Sequence, residues 1–341
     1  MLEEDFRQIC ASNIDWNQFA NANILITGAN GFLPAYMAKT LLKLNYTVLA
    51  GKPCKVLALV RNDYHAKIAF KEFLGDKNLT FIVQDVTQEI NICRPLDFII
   101  HAASPASPKF YKNAPLSVIM PNVLGTINTL NVALKNPIRS FLYFSSAEVY
   151  GEYKGKIDEN SYGFVDPINL RSCYAESKRM GENICISYGA QYNVPVKIVR
   201  PFHTYGPGMK LDDGRVFADF VRSVVCGEDI VLTSNGEAKR SFLYLADATI
   251  AYFLILTKGV NNEAYNVAND QAIVSIKELA QMIVGLFPDK KISILYKKAS
   301  ESYLRSPIVS YDVDISKIKA LGFNAGTSIK YGFTKTIRSY L

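Results

Sequence analysis

The chain has 341 residues, 49% hydrophobic and 20% charged, with a formal net charge of +7; it is long enough to bury a sizeable core in one large domain or two intimate ones. Its longest purely apolar run, Ile250–Leu256, falls far short of the roughly 18 residues of a membrane span, and no run of Lys or Arg exceeds two residues, which argues against a nucleic-acid stripe and leaves room for a small anionic ligand. Six dispersed cysteines without a Cys-x-x-Cys pair, and only three histidines, read as reduced thiols and no metal centre.

The acidic start Met-Leu-Glu-Glu-Asp lacks the basic and apolar regions of a signal peptide, so a cytoplasmic protein is expected. Residues 1–22 read as a polar extension carrying Trp16, the only tryptophan, as a short helix outside the main fold. Residues 23–28 form an apolar run ending in Gly, a buried strand entering a tight turn, and 35–44 a helix. Strands over 55–61, 79–85, 96–102, 140–145 and 196–200 follow, with helices over 66–74, about 116–135 and 174–188 among them. This alternation predicts an α/β fold, a Rossmann-type doubly wound parallel sheet over residues 23–200. After Pro201 the alternation loosens, and residues 201–240 and 257–341 read as a smaller C-terminal substrate-binding region, with 241–256 returning to the main domain.

Thr27-Gly28-Ala-Asn-Gly31-Phe-Leu-Pro34 sits between the first strand and the first helix, where a dinucleotide loop belongs. Gly28 permits the tight turn and Gly31 lets the backbone approach a pyrophosphate at the helix N-terminus. Pro34 stands where a third Gly is usual, and a first helical turn tolerates it. The second strand ends in Arg61. An acid there would bind the ribose 2′-hydroxyl of NAD, whereas an Arg can meet the 2′-phosphate of NADP, so both cofactors stay open. Asp85, after the third strand, is a candidate partner for the adenine amino group or a local N-cap.

Tyr174 and Lys178 are four residues apart at the start of a helix-compatible run, which places both on one helical face. An ammonium beside a phenol favours phenolate and is expected to lower the Tyr pKa. Tyr150/Lys154 and Tyr331/Lys335 share the spacing, but Gly151 and Gly332 follow those tyrosines and argue against helices there.

With these motifs in order, the chain resembles the extended short-chain dehydrogenase/reductase family, the nucleotide-sugar epimerases, dehydratases and decarboxylases. The resemblance rests on Thr27-Gly-x-x-Gly31, His101-Ala-Ala-Ser104, Asn122-x-x-Gly125-Thr126, Ser145-Ser-Ala-Glu-Val-Tyr-Gly151, Tyr174-x-x-x-Lys178 and Arg200-Pro-Phe-His-Thr-Tyr-Gly-Pro207, and covers about residues 23–335. Within it, the UDP-glucuronate decarboxylases share Ala103-Ser-Pro-Ala-Ser-Pro108, Cys173-Tyr-x-Glu-x-Lys-Arg179, Asp213-Gly-Arg-Val216 and Arg305-x-Pro307. The resemblance implies a homodimer built on the 116–135 and Tyr174 helices, a nucleotide-diphosphate sugar substrate and bound NAD. It also implies oxidation at the sugar C4, a 4-keto intermediate and return of the hydride.

Carried over by position, the catalytic set is Ser146, Glu148, Tyr174 and Lys178. The cofactor residues are Gly28, Asn30, Gly31, Phe32, Leu33, Arg61, Asp85, Val86, Ala102, Ala103, Ser104 and Asn122, with Tyr174 and Lys178. The substrate residues are Ser104, Ala147, Glu148, His203, Arg215, Arg240 and Arg305. Three positions depart from the decarboxylase pattern. Ala147 stands where decarboxylases carry a Ser and dehydratases an Asp or Ser, and is what the 4-epimerases carry. His203 replaces an Asn, and Gly208 an Arg. Decarboxylation is the leading expectation. Epimerisation at C4, or at C3 or C5 through Glu148, and 4,6-dehydration follow it. An NADPH-dependent 4-keto-sugar reductase and a non-catalytic dinucleotide-binding protein complete the alternatives.

Overall fold

Residues 1–297 and 312–341 are described by the computed structural model; Arg305 lies outside them. The chain opens with α1 (Glu3–Cys10), then runs through β1 (Asn23–Thr27), α2 (Phe32–Leu44), β2 (Lys55–Val60), α3 (Asp63–Ala69), β3 (Leu79–Val83) and β4 (Phe98–His101). There follow α4 (Lys109–Asn113), α5 (Pro115–Leu134), β5 (Ser140–Phe144), β6 (Lys156–Ile157), α6 (Cys173–Tyr192), β7 (Val196–Pro201) and β8 (His203–Tyr205). The remainder comprises α7 (Val216–Cys226), β9 (Ile230–Leu232), β10 (Lys239–Tyr244), α8 (Leu245–Lys258), β11 (Glu263–Val267), β12 (Ile273–Ser275), α9 (Ile276–Leu286), β13 (Ile294–Tyr296), β14 (Asp312–Val313), α10 (Ser316–Lys319) and α11 (Ile329–Arg338).

Seven parallel strands form the main sheet in the order β11-β7-β5-β4-β1-β2-β3. Successive side chains of each strand point to opposite faces. Leu25, Ile99, Phe141 and Ile198 therefore meet the core under α5 and α6, while Ile24, Ile26, Ile100 and Leu142 meet the core that includes α2 and α8. The strand order reverses between β1 and β4, and the crevice beyond the carboxyl ends at such a switch is where α/β sheets bind ligands.

The doubly wound sheet expected from the sequence is present; of the stretch 241–256 expected to return to it, residues 241–244 lie instead in β10 of a separate small sheet, while α8 packs on β5, β7 and α2. The sheet has one strand more than the sequence reading. β11, Glu-Ala-Tyr-Asn-Val, is short and partly polar, and pairs along β7 from Glu263 to Val267. Small sheets of β8, β10 and β12, of β9 and β13, and of β6 and β14 build the smaller region.

Two expectations are corrected. The first 22 residues do not lie outside the fold, because Phe6, Ile9, Trp16 and Phe19 are buried in the larger core. Charged neighbours mask that apolar set in the sequence. Gly332 does not prevent a helix: α11 runs through it, and a Cβ there would collide with the Tyr205 hydroxyl, so the glycine serves close packing. Helix α5 is long and apolar enough to cross a membrane by length and composition alone, but half of that window is buried in the fold, as in a core helix.

Candidate active site

Gly28 ends β1 with φ +64°, and a Cβ there would lie 2.7 Å from the Cα of Ala103. A side chain is thus excluded both by backbone conformation and by the approach of the loop that follows β4. Thr27 Oγ1 accepts from the backbone N–H groups of Ala102 and Ala103 at 3.2 and 3.3 Å and lies 2.7 Å from His101 Nδ1. His101 Nε2 continues the chain to Thr126 Oγ1 at 3.0 Å. Burial, reinforced by the Lys178 charge, holds the His101 imidazole down to about 3, so it is neutral and joins β1, β4 and α5.

Around this turn opens a cleft of about 1750 Å³. Gly28, Asn30, Gly31, Phe32, Leu33, Arg61, Val86, Ala102, Ala103 and Ser104 line one part of it, and Ser146, Ala147, Glu148, Tyr174, Lys178, His203, Arg215 and Arg240 another. Two predicted cofactor residues are not in that lining. Asp85 accepts from the backbone and hydroxyl of Thr87, which is its local-cap role. Asn122 is buried between helices, where its amide donates to Ser177 Oγ at 2.9 Å and ties α5 to α6.

Ser146 and Tyr174 face the same part of the cleft, and Ser146 Oγ accepts from the Glu148 backbone N–H at 3.2 Å. Burial pushes the Tyr174 phenol up to about 12; the neighbouring Ser146 hydroxyl and the Arg215 and Arg171 charges oppose this, and Glu148 adds to it. Burial brings the Lys178 ammonium down to about 7, and its Nζ donates to the Phe144 carbonyl at 2.6 Å, 5.9 Å from the Tyr174 ring centroid. The expectation that Lys178 lowers the Tyr174 pKa is therefore corrected. In this geometry desolvation outweighs the neighbouring charge on both groups.

Three partners escaped the sequence reading. Arg171, one turn before Tyr174, grips Glu148 with both fork nitrogens, Nη1 to Oε2 at 2.7 Å and Nη2 to Oε1 at 2.9 Å. Tyr111 on α4 stacks on Tyr174 and carries the Arg171 guanidinium over its ring. Glu182 on α6 accepts from Ser145 Oγ at 2.5 Å and from Arg200 Nη2 at 2.7 Å, fastening α6 to the strand ends. The acid-plus-Arg composition was visible, but 23 residues separate Glu148 from Arg171 and no periodicity joins them.

His203 packs edge-on to Phe217 and near Phe242, and burial with the Arg240 and Arg215 charges keeps its pKa well below the ordinary imidazole value. Arg215 and Arg240, beside a neutral His203, give this part of the cleft the guanidinium forks suited to phosphate groups.

The residues present fit a dinucleotide. Gly28 leaves the room a Cβ would fill, the Gly31 end of α2 has no side-chain cap, and the buried Ser104 Oγ has no hydrogen-bond partner among the described residues. Fold and site together define the dinucleotide-dependent enzymes as the class of protein, with Ser146, Tyr174 and Lys178 lining one cleft.

A sequence profile of the NAD dependent epimerase/dehydratase family matches residues 24–268. A UDP-glucuronic acid decarboxylase of Arabidopsis thaliana is 33% identical over 318 residues, covering 92% of this chain and 87% of the relative. Among solved structures, the UDP-glucuronic acid 4-epimerase of Bacillus cereus, in complex with UDP-glucuronic acid and NAD, superposes with a TM-score of 0.79 at 20% identity, covering 93% of this chain and 98% of that one. A dTDP-glucose 4,6-dehydratase of Streptomyces venezuelae gives 0.80 at 22%, covering 93% and 96%. At those identities the structures establish the shared fold. The chain belongs to the NAD dependent epimerase/dehydratase family and is an NAD-dependent enzyme.

Proposed function

We propose that the protein oxidises C4 of a nucleotide-diphosphate sugar and releases the C6 carboxylate of UDP-glucuronate as carbon dioxide. The observation that carries this is a single cleft that Tyr174, Ser146 and Lys178 line together with Arg215, Arg240 and His203. The 33% identity to a UDP-glucuronic acid decarboxylase supports the choice of sugar.

Residues 28–33, Arg61, Val86, Ala102–Ser104, Tyr174 and Lys178 would hold NAD, which supplies a hydride acceptor at C4 and later the donor. Ser146 and Tyr174 orient the C4 hydroxyl, and Tyr174 Oη takes its proton. When carbon dioxide leaves, the C4 ketone takes up the C5–C6 bond pair as an enolate; C5 then takes a proton from solvent water, and Tyr174 returns its proton to the C4 oxygen as C4 is reduced again. Redox is balanced overall. Arg215 and Arg240 would bind the diphosphate.

Incubation with UDP-glucuronate in deuterated water, followed by NMR, tests this. Carbon dioxide and a UDP-pentose are expected, without consumption of added NADPH. Consumption of added NADPH would instead identify the reductase. Ala147, which offers a carboxylate no hydroxyl, favours epimerisation as the second reading. An intact carboxylate with deuterium at C5 or C3, or inversion at C4, would establish that reading and end the first.

The assembly proposed is a homodimer through α5 and α6. Leu116, Met120 and Leu124, one helical face of α5, are solvent-exposed, as is Met180 on α6. Sedimentation equilibrium at micromolar concentration should give twice the chain mass, and a monomer would refute the assignment.

A further inference from the structure

Glu148 and Arg171 hold each other in the wall of the cleft beside Ala147 and Tyr174. The arginine is fixed from three sides. Its backbone N–H donates to Asn169 Oδ1 at 2.9 Å, its guanidinium lies 4.9 Å above the Tyr111 ring, and its fork is filled by the carboxylate. Its side chain is 11% exposed. A guanidinium so enclosed has already lost most of its water, so a second carboxylate can replace Glu148 at little further desolvation cost. A neutral hydroxymethyl group cannot make that exchange, because it would leave an enclosed cation without its counter-charge.

The other cleft arginines are committed differently. Arg61 stands among the cofactor residues, Arg240 and Arg215 both act on His203, and Arg215, whose charge also reaches Tyr174, is paired with Asp213.

We propose that Arg171 is the residue that selects an acidic sugar, by exchanging Glu148 for the C6 carboxylate of the bound substrate. The exchange does two things at once. It anchors the carboxylate next to Tyr174, in a site where Ala147 provides no hydroxyl for that purpose. It also releases Glu148, so that a carboxylate able to carry a proton appears near C5 only when an acidic sugar is bound. This assignment rests on the nucleotide-sugar reading above and adds the basis of its substrate choice.

Equilibrium binding of UDP, UDP-glucose and UDP-glucuronate to the NAD-loaded protein tests it, in a Tyr174→Phe background that prevents turnover. Arg171→Gln should weaken UDP-glucuronate by about tenfold or more, the scale of a bidentate charged contact, and leave UDP and UDP-glucose within about twofold. Glu148→Gln removes the competing charge and should tighten UDP-glucuronate by about threefold or more with UDP-glucose unchanged, an outcome no folding defect can imitate. Arg215→Gln should weaken all three ligands together. Equal weakening of all three by Arg171→Gln, or no gain in acid preference with Glu148→Gln, overturns the assignment while UDP binding keeps the broader reading intact. Failure of the unsubstituted site to bind UDP overturns both.

Discussion

The ring of Tyr111 lies parallel to that of Tyr174, 14° apart in plane and 5.2 Å between centroids. Tyr111 is itself buried and hydrogen-bonded to the Ala106 carbonyl at 3.0 Å, so it is a fixed cover on one face of the phenol. Burial is the main reason Tyr174 stands at about 12. A base with so high a pKa works in proportion to its ionised fraction, and the rate should climb about tenfold per pH unit through neutral and mildly alkaline pH. Tyr111→Leu should admit water, bring Tyr174 down by about one unit and move the rising limb of kcat/KM to lower pH by the same amount. A limb that stays in place while the melting temperature falls would show that Tyr111 only supports the fold.

Tyr174→Phe removes one hydroxyl and should lower kcat by about 10²–10⁴-fold with little change in thermal stability. Lys178→Met also removes the donor of the Phe144 carbonyl, a loss of roughly 1–3 kcal/mol partly offset by relieving a buried ammonium. Turnover of UDP-glucuronate by either variant at more than a tenth of the original rate would refute the acid–base assignment.

The parts of this site legible in the sequence are those encoded locally. The apolar runs ending in Thr27, His101 and Phe144 give strands whose carboxyl ends gather at one crevice. Gly28 marks a position no side chain can take, and the four-residue spacing puts Tyr174 and Lys178 on one face of α6. The parts not legible depend on distant segments. Glu148 meets Arg171, Tyr111 meets Tyr174, and Asp5 meets Lys335 only once the sheet has brought separate loops and helices together. The Tyr174 pKa was misjudged for the same reason: proximity to Lys178 is visible in the spacing, but the depth of burial is not.

Gly28→Ala tests the cofactor turn. An Ala at φ +64° costs about 1–2 kcal/mol in backbone strain, and its methyl would press on the Ala103 backbone at the point where β1 and β4 open. NAD affinity, measured by fluorescence titration, should fall by more than about tenfold. Unchanged affinity would remove this turn from the dinucleotide site.

His101 should make the fold acid-sensitive. Its imidazole is held at about 3 in the fold and returns to its ordinary value near 6.5 when unfolded, so between these pH values the unfolded chain binds the extra proton. Stability is complete above about 6.5 and falls by about 1.4 kcal/mol per unit as pH drops below it. His101→Gln can keep bonds to Thr27 and Thr126 without titrating. Urea melts should show the wild type losing about 2 kcal/mol more than His101→Gln between pH 6.5 and pH 5. Parallel pH profiles for the two proteins would contradict this.

Asp5 should anchor the N-terminal helix to the rest of the protein. It has no exposure and accepts from Tyr36, from Tyr244 at 2.9 Å and from Lys335 Nζ at 2.5 Å, joining α1 to α2, β10 and α11. Lys335 is 9% exposed and its other carboxylate, Glu4, lies 3.3 Å away at the surface. Removing one member of a buried pair leaves the other charged and unsolvated, so Asp5→Ala should cost about 3–5 kcal/mol in urea unfolding. Adding Lys335→Met should recover a large share of that loss, because the buried ammonium is then gone. A single-variant cost below about 1 kcal/mol, or no recovery in the double variant, would show that α1 is held by Phe6, Ile9, Trp16 and Phe19 alone.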